Sequence, residues 1–263
     1  MNVKVLRNIL EANDQLADRI RERLAAKGVT AINLISAPGS GKTSLLECSI
    51  ALLKPDYGIA VLEGDIATTR DADRIARLDV PVVQLLTCGA CHLEAPLVER
   101  GLSELDLDAL DLLFIENVGN IACPAEFDLG ETVKVGILSV TEGHDKPAKY
   151  PLLFHEIGAL VLNKIDLLPY VNFDYDQFLS DFRKLNAEAP VFQLSCTSGM
   201  GTRAWTHWLE HVAHGELRVE PHAHSEHDLA GIIQPHTHPH KKVAKAPVTG
   251  RISAANTISG AHE

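Results

Sequence analysis

Positive charge is in short supply in this chain: 24 lysines and arginines stand against 35 aspartates and glutamates, a formal net charge of −11. A nucleic-acid footprint needs a basic face, so this balance argues against that partner. It leaves nucleotide binding open, because a phosphate loop supplies its positive field locally. No apolar run approaches the roughly eighteen residues of a membrane span, so no membrane segment is expected. The opening MNVKVLRNILEANDQ carries charges too early and too often for a secretory signal. The five cysteines (Cys48, Cys88, Cys91, Cys123, Cys196) are odd in number and lack framework spacing. Without a disulfide framework, they read as reduced thiols of a cytoplasmic protein, some of them metal ligands.

What the sequence does have is organised around residues 31–46, AINLISAPGSGKTSLL. An apolar run (Ile32, Leu34, Ile35) reads as a buried strand, followed by a glycine-rich turn and an apolar helix. Glycines in the turn Pro38, Gly39, Ser40, Gly41 let successive backbone N–H groups point at phosphate oxygens. Lys42 is placed to reach the β- and γ-phosphates, Thr43 to ligate Mg²⁺, and Ser44 to follow in the first helical turn. The pattern G-x-x-x-x-G-K-[ST] asks for glycine where this chain has Ser36. The GSGKT half, which does most of the cradling, is intact.

At 263 residues and 46% hydrophobic, the chain can bury one large α/β domain with appendages. Residues 1–30 place Leu6, Ile9, Leu10, Leu16, Ile20 and Leu24 near helical spacing, an amphipathic N-terminal arm stopped by Gly28. Strands are predicted at 59–62, 82–86, 112–115, from 133 onward, 160–162 and 191–194. Helices are predicted over 68–78, from about residue 93, 173–185 and 201–214, with a loop over 141–151. Strands alternating with helices mean crossover connections, hence a P-loop α/β domain with a mostly parallel sheet over residues 31–214. Residues 215–263 show no apolar period and are expected to form a disordered, histidine-rich tail.

Asn163-Lys164-Ile165-Asp166 follows a strand about 120 residues beyond the turn. A carboxylate at Asp166 accepts both the N1–H and the N2–H₂ of guanine, and adenine offers neither donor, so GTP is favoured over ATP. Asn163 braces this site and the Lys164 stem lies against the base. Ser195 and Cys196, after the last strand, fall where a second base contact or a plain strand-end turn would sit. Asp65 and Glu116 are the acidic candidates near the γ-phosphate, one of them to hold Mg²⁺ beside Thr43. Glu116 in E-x-x-G also starts a switch-like segment in which the Gly119 N–H can meet phosphate. Cys91 and His92 adjoin each other, and Cys123 follows Glu116 by seven residues. Thiolates with imidazole suit Zn(II) or Ni(II), but three ligands leave the sphere open unless water, Cys88 or a second subunit completes it. In the tail, His222, His224, His227, His236, His238 and His240 include H-x-H steps able to bind Ni(II), Zn(II) or Cu(II) without a fold.

The chain resembles the HypB family, GTPases that deliver nickel during maturation of nickel–iron hydrogenases. The resemblance rests on SAPGSGKTSLLE, GDIATTRDADRI, CHLEAPLV, ENVGNIACPAEFDLGE, TEGHDKPAKYP and NKIDLLPY, and spans roughly residues 1–214. It implies a slow GTPase that forms a homodimer with nucleotide and carries a metal site at the subunit interface, to which Cys91, His92 and Cys123 map. It places Lys146 close to the nucleotide and the dimer contact. It also implies as partners the hydrogenase large subunit and a second maturation metallochaperone. Two departures stand out. The N-terminal cysteine motif of many relatives is absent from the first ten residues, and the histidines come after the GTPase region instead of before it. Cys88 stands where a glycine is usual. A urease-serving GTPase and a nickel-storage protein with a regulatory GTPase domain are the alternatives.

Overall fold

The computed structural model describes residues 2–66 and 68–216, with the side chains of residues 2–9 left out of the description. The six tail histidines singled out above, and the disorder expected there, therefore lie outside the described residues. In chain order the elements are α1 (Asn2–Ala26), β1 (Thr30–Ser36), α2 (Lys42–Leu53), β2 (Ile59–Asp65), α3 (Arg70–Ala76), β3 (Val82–Leu86) and α4 (Ala95–Leu102). There follow β4 (Leu112–Glu116), α5 (Cys123–Glu126), β5 (Val133–Ser139), α6 (Lys146–Lys149), α7 (Pro151–Glu156), β6 (Ala159–Asn163), α8 (Tyr175–Leu185), β7 (Val191–Gln193) and α9 (Thr202–Ala213).

The seven strands form one sheet in the order β3-β2-β4-β1-β5-β6-β7, and each pairing is parallel. Parallel strands are covered on both faces, which is why the central ones read as unbroken apolar runs. Every residue of β1, β4 and β6 is buried. Alternate side chains go to opposite layers. Ile32 and Leu34 join Leu45, Leu46 and Ile50 of α2 and Trp205 and Leu209 of α9 on one side. On the other, Leu113 and Ile115 join Ala17, Ile20 and Leu24 of α1 and Val98 and Leu102 of α4. Farther along that side Leu160 and Leu162 meet Phe154, Phe178 and Phe182. Among the described residues, the N-terminal arm thus packs as a layer of the domain itself through Ala17, Ile20 and Leu24.

Chain reversal around β1, flanked by β4 on one side and β5 on the other, creates the crevice at which open α/β sheets bind ligands. The loops leaving the carboxyl ends of β1, β2, β4 and β6 all open there. Segment 141–151, expected as a loop, instead contains a 3₁₀ turn over Val140–Glu142 and the start of two short helices. Pro147 and Pro151 supply the favoured first helical positions, and elements this short leave no readable period. Among the described residues no helix is long and apolar enough to cross a membrane.

Candidate functional site

The glycine-rich turn is built against the strand end at β6. Gly41 has φ +102°, and a Cβ there would lie 2.4 Å from Asn163 Nδ2, so only glycine fits. Asn163 Nδ2 donates to the Ser40 carbonyl at 3.0 Å, and Lys164 Nζ donates to the Gly39 carbonyl at 2.6 Å. Two motifs some 120 residues apart in sequence therefore form one wall. Asp166 follows in a 3₁₀ turn with its side chain exposed. The Cys196 N–H and thiol both face Asn163 Oδ1 at 3.5 Å, which brings Cys196 to the same wall. Burial and the neighbouring Cys48 push the Cys196 thiol up to about 12, so it stays protonated. Ser195 is buried, with its N–H on the Met200 carbonyl and its hydroxyl accepting from Ser198 N–H. These bonds close a turn at the end of β7 beside Cys196. Lys146 opens α6 with its ammonium 5.6 Å from the Tyr150 ring, within the segment that follows β5.

Lys42 is buried and its ammonium donates to Ser36 Oγ at 3.0 Å. The residue that departs from the glycine pattern is thus the lysine's own acceptor. Burial lowers the Lys42 pKa, with Glu116 the leading opposing charge. Thr43 Oγ1 donates to Glu116 Oε1 at 2.8 Å, while Glu116 Oε2 is buried without a hydrogen-bond partner. Burial is the main reason that the Glu116 carboxyl is pushed up to about 7. Its register partner across the β2–β4 pairing is Glu63, pushed up to about 8 by burial, then by Glu116 and Asp65. Glu63 Oε2 also lacks a partner. Carboxylate oxygens of Glu63, Asp65 and Asp71 all lie within 4.8 Å of one another, and Asp65 Oδ1 accepts the Thr68 N–H at 2.7 Å. Two orphaned buried carboxylate oxygens beside a threonine hydroxyl fit a hard divalent cation, which takes oxygen ligands.

Several groups of this edge escaped the sequence reading. Arg74 reaches from α3 to Ser44 Oγ at 3.2 Å while paired with Glu47 at 2.6 Å and Asp71 at 3.2 Å. Glu142 accepts from Ser40 Oγ at 2.6 Å and caps its own turn. Only the spacing within GDIATTRDADR and TEGHD hinted at either. Glu63, just past the strand predicted at 59–62, was not singled out. Gly119 sits so close to the turn that a Cβ would lie 3.1 Å from Pro38 Cγ.

The second half of the site lies on the loops after β3 and β4. Cys91 Sγ is 3.1 Å from Cys123 Sγ and 3.8 Å from His92 Nδ1. One ligand atom from each of the three residues lies within 4.8 Å of the others, so the structure brings together the three residues that spacing alone could not join. The His92 ring stacks on Phe127 at 3.9 Å, and its Nε2 is buried without a hydrogen bond. The hydrogen bond from Cys91, then burial, raises the Cys123 pKa. Cys88 stands outside this trio, exposed, at φ +52°, a left-handed conformation that ordinarily favours glycine.

A buried polar relay holds the two halves in register. Asn117, next to Glu116, accepts the Leu93 N–H at 3.1 Å, fixing the segment that carries Cys91 and His92. Its amide donates to Asn33 Oδ1 at 3.3 Å, and Asn33 donates to Glu131 Oε1 at 3.1 Å. Glu131 Oε2 accepts the Leu129 N–H at 2.6 Å, and Asn120 Nδ2 reaches the Cys91 carbonyl at 3.3 Å.

The family model for "CobW/HypB/UreG, nucleotide-binding domain" matches residues 30–193. Over 203 residues the chain is 47% identical to the hydrogenase maturation factor HypB of Escherichia coli (strain K12), spanning 77% of this chain and 70% of that one. The chain belongs to the HypB family. Among solved structures, HypB from Helicobacter pylori in complex with nickel matches with a TM-score of 0.75 at 36% identity, over 79% of this chain and 97% of that one. HypB from Archaeoglobus fulgidus matches with a TM-score of 0.73 at 34% identity, over 78% and 100% of the two chains. The glycine-rich turn described above lies within the matched nucleotide-binding domain. The trio of Cys91, His92 and Cys123 lies within the same matched span.

Proposed function

We propose that this chain is a cytoplasmic GTP-hydrolysing nickel metallochaperone acting in the maturation of a nickel–iron hydrogenase. The observation that carries the reading is a covalent one. Glu116, bonded to Thr43 beside the nucleotide loop, and Cys123, in contact with Cys91, lie seven residues apart on one strand-end loop. Asp166 selects guanine, Asn163 braces it, and Cys196 with Ser195 closes the base side. Lys42 leaves Ser36 for the β- and γ-phosphates, and the Gly119 N–H meets the γ-phosphate. Thr43, Asp65 and Glu116 would hold Mg²⁺, which supplies neutralising charge to the phosphates. Glu116 orients the attacking water.

Movement of residues 116–119 toward the γ-phosphate shifts Cys123, so nickel affinity and nucleotide state are reciprocally linked. Three protein ligands per chain leave a metal's sphere open. A second copy completes it at a homodimer interface, with Lys146 near the nucleotide and the contact. Exposed Leu86 and Ile66, beside the same loops, fit such an interface. The hydrogenase large subunit receives the ion, and a second maturation metallochaperone shares the hand-over. The tail histidines add a nickel store. A urease-serving role is the second reading, favoured by relatives such as that of Helicobacter pylori, 41% identical, named hydrogenase/urease maturation factor.

The test is Ni²⁺ titration of the full chain under GDP and under a non-hydrolysable GTP analogue. Nickel affinity should differ between the two states by roughly 5–150-fold, the usual range of such couplings. Cys123→Ala should keep GTP binding and lose that difference. Coupling that persists in the variant rejects the scheme.

A further inference from the structure

Helix α9 carries histidines four residues apart on its solvent side, at 207 and 211. That spacing stacks two side chains on one helix face. The two rings stand 4.4 Å apart at 74°, and their Nε2 atoms are 3.0 Å apart. Each ring's other nitrogen is already committed. His207 Nδ1 lies 3.2 Å from Glu210 Oε2, and His211 Nδ1 meets the Glu216 carboxylate. A carboxylate can only accept, so both Nδ1 atoms are donors, and when both rings are neutral the two Nε2 atoms present lone pairs to each other. Two lone pairs at this separation repel unless a proton or a metal ion lies between them.

We infer that His207 and His211 form a second transition-metal site, taking Ni²⁺, Zn²⁺ or Cu²⁺ through both Nε2 atoms. Two nitrogens at about 2.0–2.1 Å from one ion and near a right angle to each other are themselves about 3 Å apart, the separation found here. Imidazole suits these three metals. Carboxylates on the remote ring nitrogens fix tautomer and orientation and raise ligand basicity, the usual outer shell of a metal-bound histidine. The side chains keep 69% and 39% of their exposure, so an ion arrives without rearrangement and water fills its remaining positions. His214, the next histidine along, is engaged elsewhere, with Nε2 3.5 Å from the Tyr57 hydroxyl. The pair sits on the sheet face covered by α2 and α9, whereas Leu93, beside Cys91 and His92, belongs to the opposite face. Six residues beyond Glu216 the sequence reaches the first of the tail histidines, His222. The helix pair thus offers a fixed docking point for an ion at the root of that segment. The inference rests on ring geometry and holds whether or not the chain delivers nickel.

The experiment follows the imidazole nitrogens of the full chain by ¹⁵N NMR as Zn²⁺ is added, with Ni²⁺ counted in parallel by equilibrium dialysis. The Nε2 resonances of His207 and His211 should move together. His207→Gln should abolish the shift at His211, and the converse should hold for His211→Gln. Each variant should bind one Ni²⁺ fewer per chain. Glu216→Gln should weaken this ion by roughly 10–100-fold, the cost of losing an outer-shell partner. If the two resonances stay still under Zn²⁺, or both histidine variants keep the full nickel count, the pair shares only a proton and the inference is overturned. Both positions face solvent on a helix whose buried side is untouched, so folding is preserved and the counts are comparable.

Discussion

Glu63 and Glu116 are register partners across β2 and β4, and burial pushes both carboxyls well above the ordinary range. Glu63 titrates at about 8 in the folded chain against an ordinary 4.5. Between those values the folded state binds more protons than the unfolded one, so stability falls as pH rises. The contribution is fully present below about pH 4.5 and lost as pH passes 8. Glu63→Gln removes the titration, so the nucleotide-free variant should melt higher than wild type at pH 8, with little difference near pH 5. A gain of about 1 kcal/mol corresponds to roughly 2–4 °C in a domain of this size, which calorimetry across the pH series would register. Ser36 poses a separate question at the same scale. Its hydroxyl holds Lys42 at 3.0 Å in the nucleotide-free chain, an interaction that phosphate must displace. Removing it with Ser36→Gly should tighten GDP by a few-fold, in keeping with about 0.5–1.5 kcal/mol for one hydrogen bond. A large loss of affinity in the variant would show that Ser36 itself supports the loop.

At the scale of elements, the joint between β1 and β4 and the segment carrying Cys91 and His92 is the relay from Glu131 through Asn33 and Asn117 to the Leu93 N–H. Its members are almost wholly buried, so removing one strands the rest. Asn33→Ala leaves Glu131 Oε1 and the Asn117 amide without their partners, at a cost of about 1–3 kcal/mol, visible as a lower denaturant midpoint. Asn117→Ala should in addition weaken the dependence of nickel affinity on nucleotide while GTP still binds, because it frees the 91–93 segment from β4. Equal coupling in wild type and variant, by the titration described above, would assign Asn117 a structural role alone. None of this was legible in the sequence. Asn33 sits in an apolar strand and Asn117 and Glu131 look like ordinary loop polars, since a hydrogen-bond chain spanning positions 33, 117 and 131 has no local signature. Strands β1, β2, β4, β5 and β6 were legible because parallel strands buried on both faces are mostly apolar, whereas β3 at the sheet edge is only part-buried. NKxD and GSGKT were each legible as motifs, but not the hydrogen bonds from Asn163 and Lys164 to the Ser40 and Gly39 carbonyls that join them. Helices α5 and α6 were not, being four residues each, too short for a helical period to repeat. The meeting of Cys91 with Cys123 was open for a like reason: strand order, which spacing does not reveal, sets β2 between β3 and β4 and gathers their loops.

For the molecule as a whole, the proposed dimer must bring together two chains each of formal charge −11. Like net charges repel over about a Debye length, near 10 Å at 0.1 M salt, so added salt should strengthen the association if the contact is mainly apolar. Leu86 keeps 48% of its exposure and Ile66 49%, at the ends of β3 and β2 beside the carboxylates of Glu63, Asp65 and Asp71. Burying them against a second copy stabilises the pair by the apolar area removed from water, and it carries Cys91, His92 and Cys123 of two chains toward each other. Leu86→Asp should therefore keep the nucleotide affinity of the single chain, which the proposed function assigns to Lys42, Thr43 and Asp166, yet remain monomeric with a GTP analogue and Ni²⁺ present. Its nickel affinity should drop toward that of Cys123→Ala. Light scattering across a salt series reads the outcome. If wild-type mass rises with salt and the variant's does not, the apolar contact governs assembly. If association instead weakens as salt is added, paired charges hold the interface, and Leu86 is not its centre.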